Sequence, residues 1–262
     1  MLAGFGYVLC IGGGLPNTTI WMAAVLICGG SMRSISIDFE TRSTVDLTDV
    51  NAYVYFDDPT TEAICMAYCF DDDRPNVGLW WNGSHIPQAV AEHIHRGGIL
   101  NAWNAAFERL CFAKLMGPRH GWPVPKIEQW RCTMAAAYAM ALPGKLEMAA
   151  PALGLDIRKD DAGHRLMLQM SKPRRFGEFA ECRRCRGLGA VDGEMDYHGP
   201  CIECGGRGDA EYDDIPVWWD DLDRMERLGE YCRQDVRTEM AVASRLLPLS
   251  DAEQKVWFLD QV

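Results

Sequence analysis

The first 32 residues of this 262-residue sequence contain no charged side chain. A secretory signal peptide would carry basic residues ahead of its apolar segment, so we expect no export signal. The longest apolar run, residues 20–28, is too short to span a bilayer, and we expect no membrane association. We therefore predict that residues 1–32 are a loosely ordered extension, or upstream sequence ahead of a natural start at Met32.

The sequence also lacks an excess of positive charge. It has 26 Lys and Arg against 37 Asp and Glu, which gives a formal net charge of −11. This charge argues against a protein that binds nucleic acid by overall attraction alone. It does not exclude a nucleic-acid enzyme, because acidic clusters that hold metals add to the negative total. Hydrophobic residues make up 48% of the chain, which is enough for the core of one large or two small domains.

Eleven cysteines are present, but their positions do not indicate a disulfide framework. Seven are scattered, and four form the pairs Cys182/Cys185 and Cys201/Cys204, with fifteen residues between the pairs. This is the spacing of a four-cysteine zinc site. Without an export signal, we expect a reduced, cytoplasmic setting and one structural Zn²⁺. The alternative is two reduced pairs without a ligand.

Each cysteine pair opens a Cys-x-x-Cys-x-Gly-x-Gly half-repeat. The glycines let the backbone turn tightly, so that amides can point at the thiolate sulfurs. The half-repeat resembles the cysteine-rich zinc units of DnaJ-type co-chaperones, and the resemblance implies zinc binding only. Residues 172–215, rich in Gly, Cys and charge, are predicted to be an inserted zinc unit.

Residues 33–40 are predicted to form a strand with one buried face, because Ile35 and Ile37 alternate with serines. Asp38 and Glu40 follow at the end of this strand, two positions apart, and so project from the same face. Two adjacent carboxylates repel each other unless a cation lies between them. Hard oxygen ligands suit Mg²⁺ or Mn²⁺. From this stretch alone, a solvated strand end is the alternative.

The remaining periodicity predicts an α/β domain, a mixed sheet flanked by helices. Further strands are predicted at 62–70, 77–81 and 99–103, the first two as a hairpin. Helices are predicted at 87–96, 104–116, 133–142, 145–153, 161–170 and 218–247. The last helix is amphipathic, and its predicted apolar stripe comprises Leu222, Met225, Leu228, Cys232, Val236, Met240 and Leu247.

Two more polar groups accompany the paired acids. Asn104, Phe107 and Glu108 follow the strand predicted at 99–103, and Tyr231 and Asp235 lie four apart on one face of the last helix. Taken singly, Glu108 could be a solvated helix residue and Tyr231 a half-buried aromatic.

In this order, Asp38-Phe-Glu40, Asn104-x-x-Phe-Glu108 and Tyr231-x-x-x-Asp235 resemble the three exonuclease motifs of the DEDD superfamily, tyrosine subclass. The chain is most similar to the proofreading domain of phage-type family A DNA polymerases. Supporting stretches lie at 130–133, 142–147 and 171–173. The resemblance covers residues 33–262 apart from the cysteine-rich piece, and residues 249–260 resemble the junction to a polymerase.

The resemblance implies a ribonuclease-H-like fold and metal-dependent 3′→5′ removal of nucleotides from single-stranded DNA 3′ ends. It implies a DNA polymerase domain or subunit as partner, in a bacterial or phage-infected cell. Asp38 would bridge two Mg²⁺ or Mn²⁺ ions, Glu40 and Asp235 would complete the water-activating site, and Glu108 would hold the other ion.

The resemblance also implies roles for the uncharged residues. Tyr231 would orient the attacking water, since its ordinary acidity is too weak for a base. Asn104 and Phe107 would position the terminal nucleotide, with core packing as the alternative for Phe107.

The chain departs from the family pattern in two ways. The second motif usually ends in Asp, whereas this chain has Glu108, so the second metal could sit differently or be held through water. The separation between Glu108 and Asp235 is also long, and the inserted unit accounts for the excess.

Two further interpretations of function remain open. One is an exoribonuclease of the same superfamily, and the other is a non-catalytic module that binds nucleic acid or a polymerase. A cationic cluster near the cysteines could grip the DNA backbone or form a solvated basic face. Its members are Lys172, Arg174, Arg175, Arg183, Arg184 and Arg186.

Overall fold

The computed structural model describes residues 33–74, 76–157, 160–188, 190–192, 198–201 and 203–261. The predicted extension at 1–32 lies outside the described residues. The strands are Ser34–Arg42 (β1), Glu62–Phe70 (β2), Gly78–Trp81 (β3), Ile99–Ala102 (β4), Trp130–Cys132 (β5), Arg175–Glu181 (β6), Ala190–Asp192 (β7), His198–Pro200 (β8) and Asp209–Val217 (β9).

The α-helices are Ala52–Asp57 (α1), Gln88–His95 (α2), Ala105–Leu110 (α3), Gly117–His120 (α4), Thr133–Ala139 (α5), Leu146–Ala152 (α6), Asp161–Met170 (α7), Leu222–Ala243 (α8) and Asp251–Leu259 (α9). A π-helical stretch, Cys111–Met116, joins α3 to α4, and a 3₁₀ turn, Ile127–Gln129, precedes β5. No helix in the described part of the chain is both long enough and apolar enough to cross a membrane.

The main sheet has five strands in the order β3-β2-β1-β4-β5. β1 pairs antiparallel with β2 and parallel with β4, and β2 and β3 form the predicted antiparallel hairpin. The mixed sheet flanked by helices confirms the predicted α/β class and agrees with a ribonuclease-H-like fold.

The alternation along β1 decides which residues face the core and which face α8. Ile35, Ile37 and Phe39 are buried in the main core, where Phe39 packs edge-on against Phe112. Successive side chains of a strand point to opposite faces, so Asp38 and Glu40 lie on the other face. That face is covered by α8, whose Cys232 contacts Asp38. The acids are therefore placed between the sheet and α8.

The prediction for the long helix is correct in its centre and wrong at its ends. The structure begins it at Leu222, after the N-cap Asp221, whose side chain accepts from the Arg224 amide. It ends at Ala243, with Ser244 as the C-cap, five residues before Pro248. Leu222 and Leu247 are consequently 78% and 70% exposed instead of lying on a buried stripe. The stripe that is buried comprises Leu228, Cys232, Val236 and Met240.

The cysteine-rich segment is carried on a two-stranded antiparallel ribbon that the sequence did not predict. β6 pairs with β9 from Arg175↔Val217 to Glu181↔Asp209. A second short ribbon pairs β7 with β8. The chain therefore leaves the main domain after α7 and re-enters before α8 at neighbouring points.

Candidate functional site

All seven residues singled out at the three motifs line one cavity of about 580 Å³. These residues are Asp38, Glu40, Asn104, Phe107, Glu108, Tyr231 and Asp235. They come from segments almost 200 positions apart in the sequence, so the fold alone brings them together.

The topology explains this convergence. Because β4 runs parallel to β1, the segment after β4 starts at the same end of the sheet as Asp38 and Glu40. Glu108 lies in the first turn of α3, which follows β4 almost directly. α8 packs across β1 and β2, and its spacing of four residues brings Tyr231 and Asp235 to one side.

The environment of three carboxylates strongly disfavours negative charge; they belong to Asp38, Glu40 and Glu108. Burial raises the pKa of Asp38 well above its ordinary value, and the charge of Asp235 adds to this effect. Burial and the charge of Asp38 likewise raise the pKa of Glu40 and of Glu108. Oε2 of Glu108 is buried and has no hydrogen-bond partner among the residues that the structure describes. Buried, mutually repelling oxygen donors of this kind fit a hard divalent cation such as Mg²⁺ or Mn²⁺.

Asp235 and Tyr231 are hydrogen-bonded neighbours on α8. Burial, together with the charges of Glu147 and Asp160, raises the pKa of Asp235 to about 7, against a lowering contribution from its hydrogen bond with Tyr231. Burial and the charge of Asp235 raise the pKa of Tyr231 far above its ordinary value of 10.0. The Tyr231 hydroxyl therefore stays protonated and acts as a hydrogen-bond donor at any physiological pH.

Phe107 lines the cavity and also packs into the core. Its ring centroid lies 4.9 Å from that of Phe56 and 6.3 Å from that of Tyr55. Asn104 is exposed at the N-cap of α3, where its side chain makes no capping hydrogen bond. Core packing therefore fixes the Phe107 ring, while the Asn104 amide faces solvent.

Two neighbours of the acids were missed at the sequence level. The Cys232 Sγ, Asp38 and Glu40 each offer a ligand atom, and these atoms lie within 4.8 Å of one another. Glu239 is 3% exposed, and its charge contributes to the raised pKa of both Asp38 and Glu108. The available signal was spacing, because Glu239 follows Tyr231 and Asp235 at intervals of four on one helix face.

The four paired cysteines form a second buried cluster. Their sulfurs lie within 4.8 Å of one another, with 3.7 Å between Cys182 and Cys201 and 3.7 Å between Cys185 and Cys204. A tetrahedral Zn²⁺ with Zn–S bonds of about 2.3 Å requires sulfur separations of about 3.8 Å. The cluster could therefore hold a zinc ion, with no open position for catalysis.

The glycines of the second half-repeat act as expected. The Gly208 amide, at a φ of +89° that favours glycine, lies 3.3 Å from the Cys204 sulfur. Burial acts to raise the pKa of Cys204, but the amides of Gly208 and Gly206 lower it to about 7. A lowered thiol pKa favours the thiolate that a zinc site needs.

At least four of the six residues of the predicted cationic cluster have partners within the fold, and Arg175 donates to the backbone carbonyl of Gly177. The side-chain partners are Asp46 for Lys172, Trp219 for Arg174 and Asp214 for Arg183. Arg183, just after β6, pairs with Asp214 of β9, and Arg174, just before β6, stacks on Trp219 ahead of α8. These contacts are a structural use for charges that the sequence left open.

The sequence matches no family model. It is 31% identical over 233 residues to the DNA polymerase of Bacillus phage SP02. The match covers 88% of this chain and 31% of that polymerase, so the chain spans less than a third of its relative's length. The similarity supports a relationship to one part of a phage DNA polymerase.

Proposed function

We propose that this chain is a metal-dependent 3′→5′ exonuclease domain that removes nucleotides from DNA 3′ ends. The observation that carries the proposal is the convergence of Asp38, Glu40, Glu108, Tyr231 and Asp235 on one cavity. Glu40 and Glu108 are buried and the other two acids are partly buried. Four such acids close together are costly for a fold without a neutralising cation, so their placement argues for a role in binding metal ions.

The similarity to a phage DNA polymerase supports a proofreading role. The matched region is 31% of that polymerase, a share that fits one domain of a larger enzyme. A proofreading domain works on the strand that a polymerase has just extended. We therefore propose a DNA polymerase domain or subunit as its partner.

The four acids would hold two Mg²⁺ or Mn²⁺ ions. When bound, such ions stabilise negative charge on the attacking and leaving oxygens of a phosphodiester. Asp38 would serve both positions, because its charge acts on Glu40 and Glu108 and the charge of Asp235 acts on it. The protonated Tyr231 hydroxyl, beside Asp235, would hold the attacking water in line.

The rest of the cavity suits a nucleotide. Leu47 and Leu168, 41% and 50% exposed, line it together with Phe107 and offer apolar contact to a sugar or base. The exposed Asn104 amide would donate or accept at the terminal nucleotide. The cysteine cluster, on its own ribbon, would hold one structural Zn²⁺ through Cys182, Cys185, Cys201 and Cys204.

The test is degradation of labelled single-stranded DNA and of RNA of the same sequence. With 5′-labelled DNA and Mg²⁺ or Mn²⁺, we expect a ladder that shortens from the 3′ end, and no products when both ions are omitted. Faster loss of RNA than DNA would favour an exoribonuclease. Absence of any cleavage with both ions, while DNA is still bound, would favour a binding module.

A further inference from the structure

Glu239 lies deeper in the molecule than the acids of the cavity. It sits one helical turn after Asp235 on α8, opposite the N-terminal half of β1. One oxygen of its carboxylate, Oε1, accepts a hydrogen bond from the Thr133 hydroxyl. Burial raises the pKa of Glu239, and the Ser36 side chain is near enough to lower it against that effect. Ser36 precedes Asp38 by two positions on the same strand face, so Glu239 lies next to the site on its Ser36 side.

One oxygen of this carboxylate has no hydrogen-bond partner. Oε2 of Glu239 is buried, and no donor among the described residues reaches it. A buried carboxylate oxygen without a donor destabilises a fold. The only other carboxylate oxygen in this condition within the described chain is Oε2 of Glu108, which belongs to the candidate metal site.

A second cavity joins Glu239 to the site. It measures about 280 Å³ and is lined by Asp38, Glu147, His164, Asp235 and Glu239, among others. At about 30 Å³ for each water, this space holds a hydrated ion. Asp38 and Asp235 line both this cavity and the larger one, so a cation held by these two residues would be near Glu239.

We propose that Glu239 is a positioning residue that strengthens divalent-cation binding by Asp38 and Asp235 through its negative charge. It is not a ligand in this scheme; its charge acts through a short path of low dielectric, where Coulomb attraction is strong. The inference rests on the proposed function, because it takes Asp38 and Asp235 as the residues that hold the cation.

Direct Mn²⁺ titration by calorimetry, on the full chain with its zinc content checked, tests this role without measuring catalysis. We expect Glu239→Gln to raise the dissociation constant for Mn²⁺ about tenfold. The exposed Glu226 on the same helix gives the matched control, and Glu226→Gln should bind Mn²⁺ as the wild type does. Unchanged affinity in Glu239→Gln would overturn the inference.

A comparison of two variants separates charge from packing. If Glu239 acts only as a buried packing residue, Glu239→Gln, which keeps its size, should be milder than the shorter Glu239→Asp. If charge is what matters, Glu239→Asp should bind Mn²⁺ more tightly than Glu239→Gln, and the opposite order would overturn the inference.

Asp38→Asn distinguishes failure of the inference from failure of the proposed function. If Asp38→Asn loses Mn²⁺ binding while Glu239→Gln binds Mn²⁺ as the wild type does, only the proposed role of Glu239 is removed. Wild-type Mn²⁺ affinity in both variants removes the metal site itself, and with it this inference.

Discussion

The Cys232 Sγ lies 3.4 Å from Oδ2 of Asp38 and 3.4 Å from the Asp38 carbonyl oxygen. The thiol is a weak donor, but it is fully buried and joins the middle of α8 to the middle of β1. This contact fixes the distance between the strand that carries two acids and the helix that carries the third motif. Asp38 is thus oriented by α8 as well as by its own strand.

Asp38→Ala is expected to abolish nuclease activity while the fold and DNA binding remain. The metal-free variant should be at least as stable as wild type, because one of four repelling carboxylates is gone. Activity on a 3′-end-labelled strand and thermal unfolding measure the two effects. The exposed Asp223→Ala on α8 is the control and should stay active. Near wild-type rates for Asp38→Ala would remove the metal-site interpretation.

Glu108 should tolerate a change of length better than a loss of charge. Glu108→Asp keeps a carboxylate and should lower the rate modestly. Glu108→Gln keeps the volume but removes the charge from a side chain that is 5% exposed. Its rate should fall by more than about 100-fold, the upper range for losing an outer-shell partner of a metal. Equal rates for Gln and wild type would show that the second-motif match is accidental.

The metal-free protein should lose stability as the pH rises from about 4 to about 7. Asp235 has an ordinary pKa of 3.8 and a folded pKa of about 7, so in this window the folded state binds more protons than the unfolded chain. This pKa difference corresponds to a change of at most about 4 kcal/mol in the free energy of unfolding. The actual change should be smaller, because the Asp235 side chain is partly exposed and solvent screens its charge.

Urea unfolding at pH 5 and pH 8 measures this dependence, with Mg²⁺ and Mn²⁺ omitted and no chelator added, so that zinc is retained. Between pH 5 and pH 8, stability should fall less in Asp235→Asn than in the wild type, by more than half of the decline attributed to Asp235. This difference between the two proteins isolates the contribution of the Asp235 carboxyl. A wild-type stability that falls no more steeply with pH than that of Asp235→Asn contradicts the assignment.

Cys182→Ser with Cys185→Ser should release about one zinc per chain and loosen only the ribbon segment. The acids come from other elements, so turnover of short oligonucleotides should persist. Affinity for longer DNA should fall, with a weaker salt dependence, if the nearby arginines contact phosphates. Elemental analysis and salt-dependent binding measure these effects.

Cys69→Ser, which changes a buried cysteine of β2 outside the cluster, should retain its zinc. A wild-type protein without zinc would refute the site. An unchanged salt dependence in the double variant would leave the zinc without a part in DNA binding.

Elements with a clear period were predicted closely. The bounds of β2 and α7 coincide with the predicted 62–70 and 161–170. α1 and β5 were missed, since six and three residues are too few to show a period. β6 and β9 were missed because a two-stranded ribbon exposes most side chains on both faces, which leaves no hydrophobic pattern.

The candidate site shows the same limit. The order of the three motifs was enough to predict that Asp38, Glu108 and Asp235 belong to one site, because the motifs resemble those of a known family in the same order. Cys232 and Glu239 could not be assigned, because helical spacing gives the face of α8 but not which residues of β1 and α5 lie opposite. Thr133, whose hydroxyl bonds one oxygen of the Glu239 carboxylate, lies more than 100 residues away in sequence.

The pairing of Arg175 with Val217 has a consequence for the ancestry of this chain. Because the cysteine-bearing segment departs and returns at one place, a lineage could gain, lose or exchange it without moving Asp235 relative to Asp38. The number of residues between the second and third motifs is then free to drift among relatives. A search that requires a fixed interval between Glu108 and Asp235 would overlook such chains, whereas one that allows any length between α7 and α8 would retrieve them.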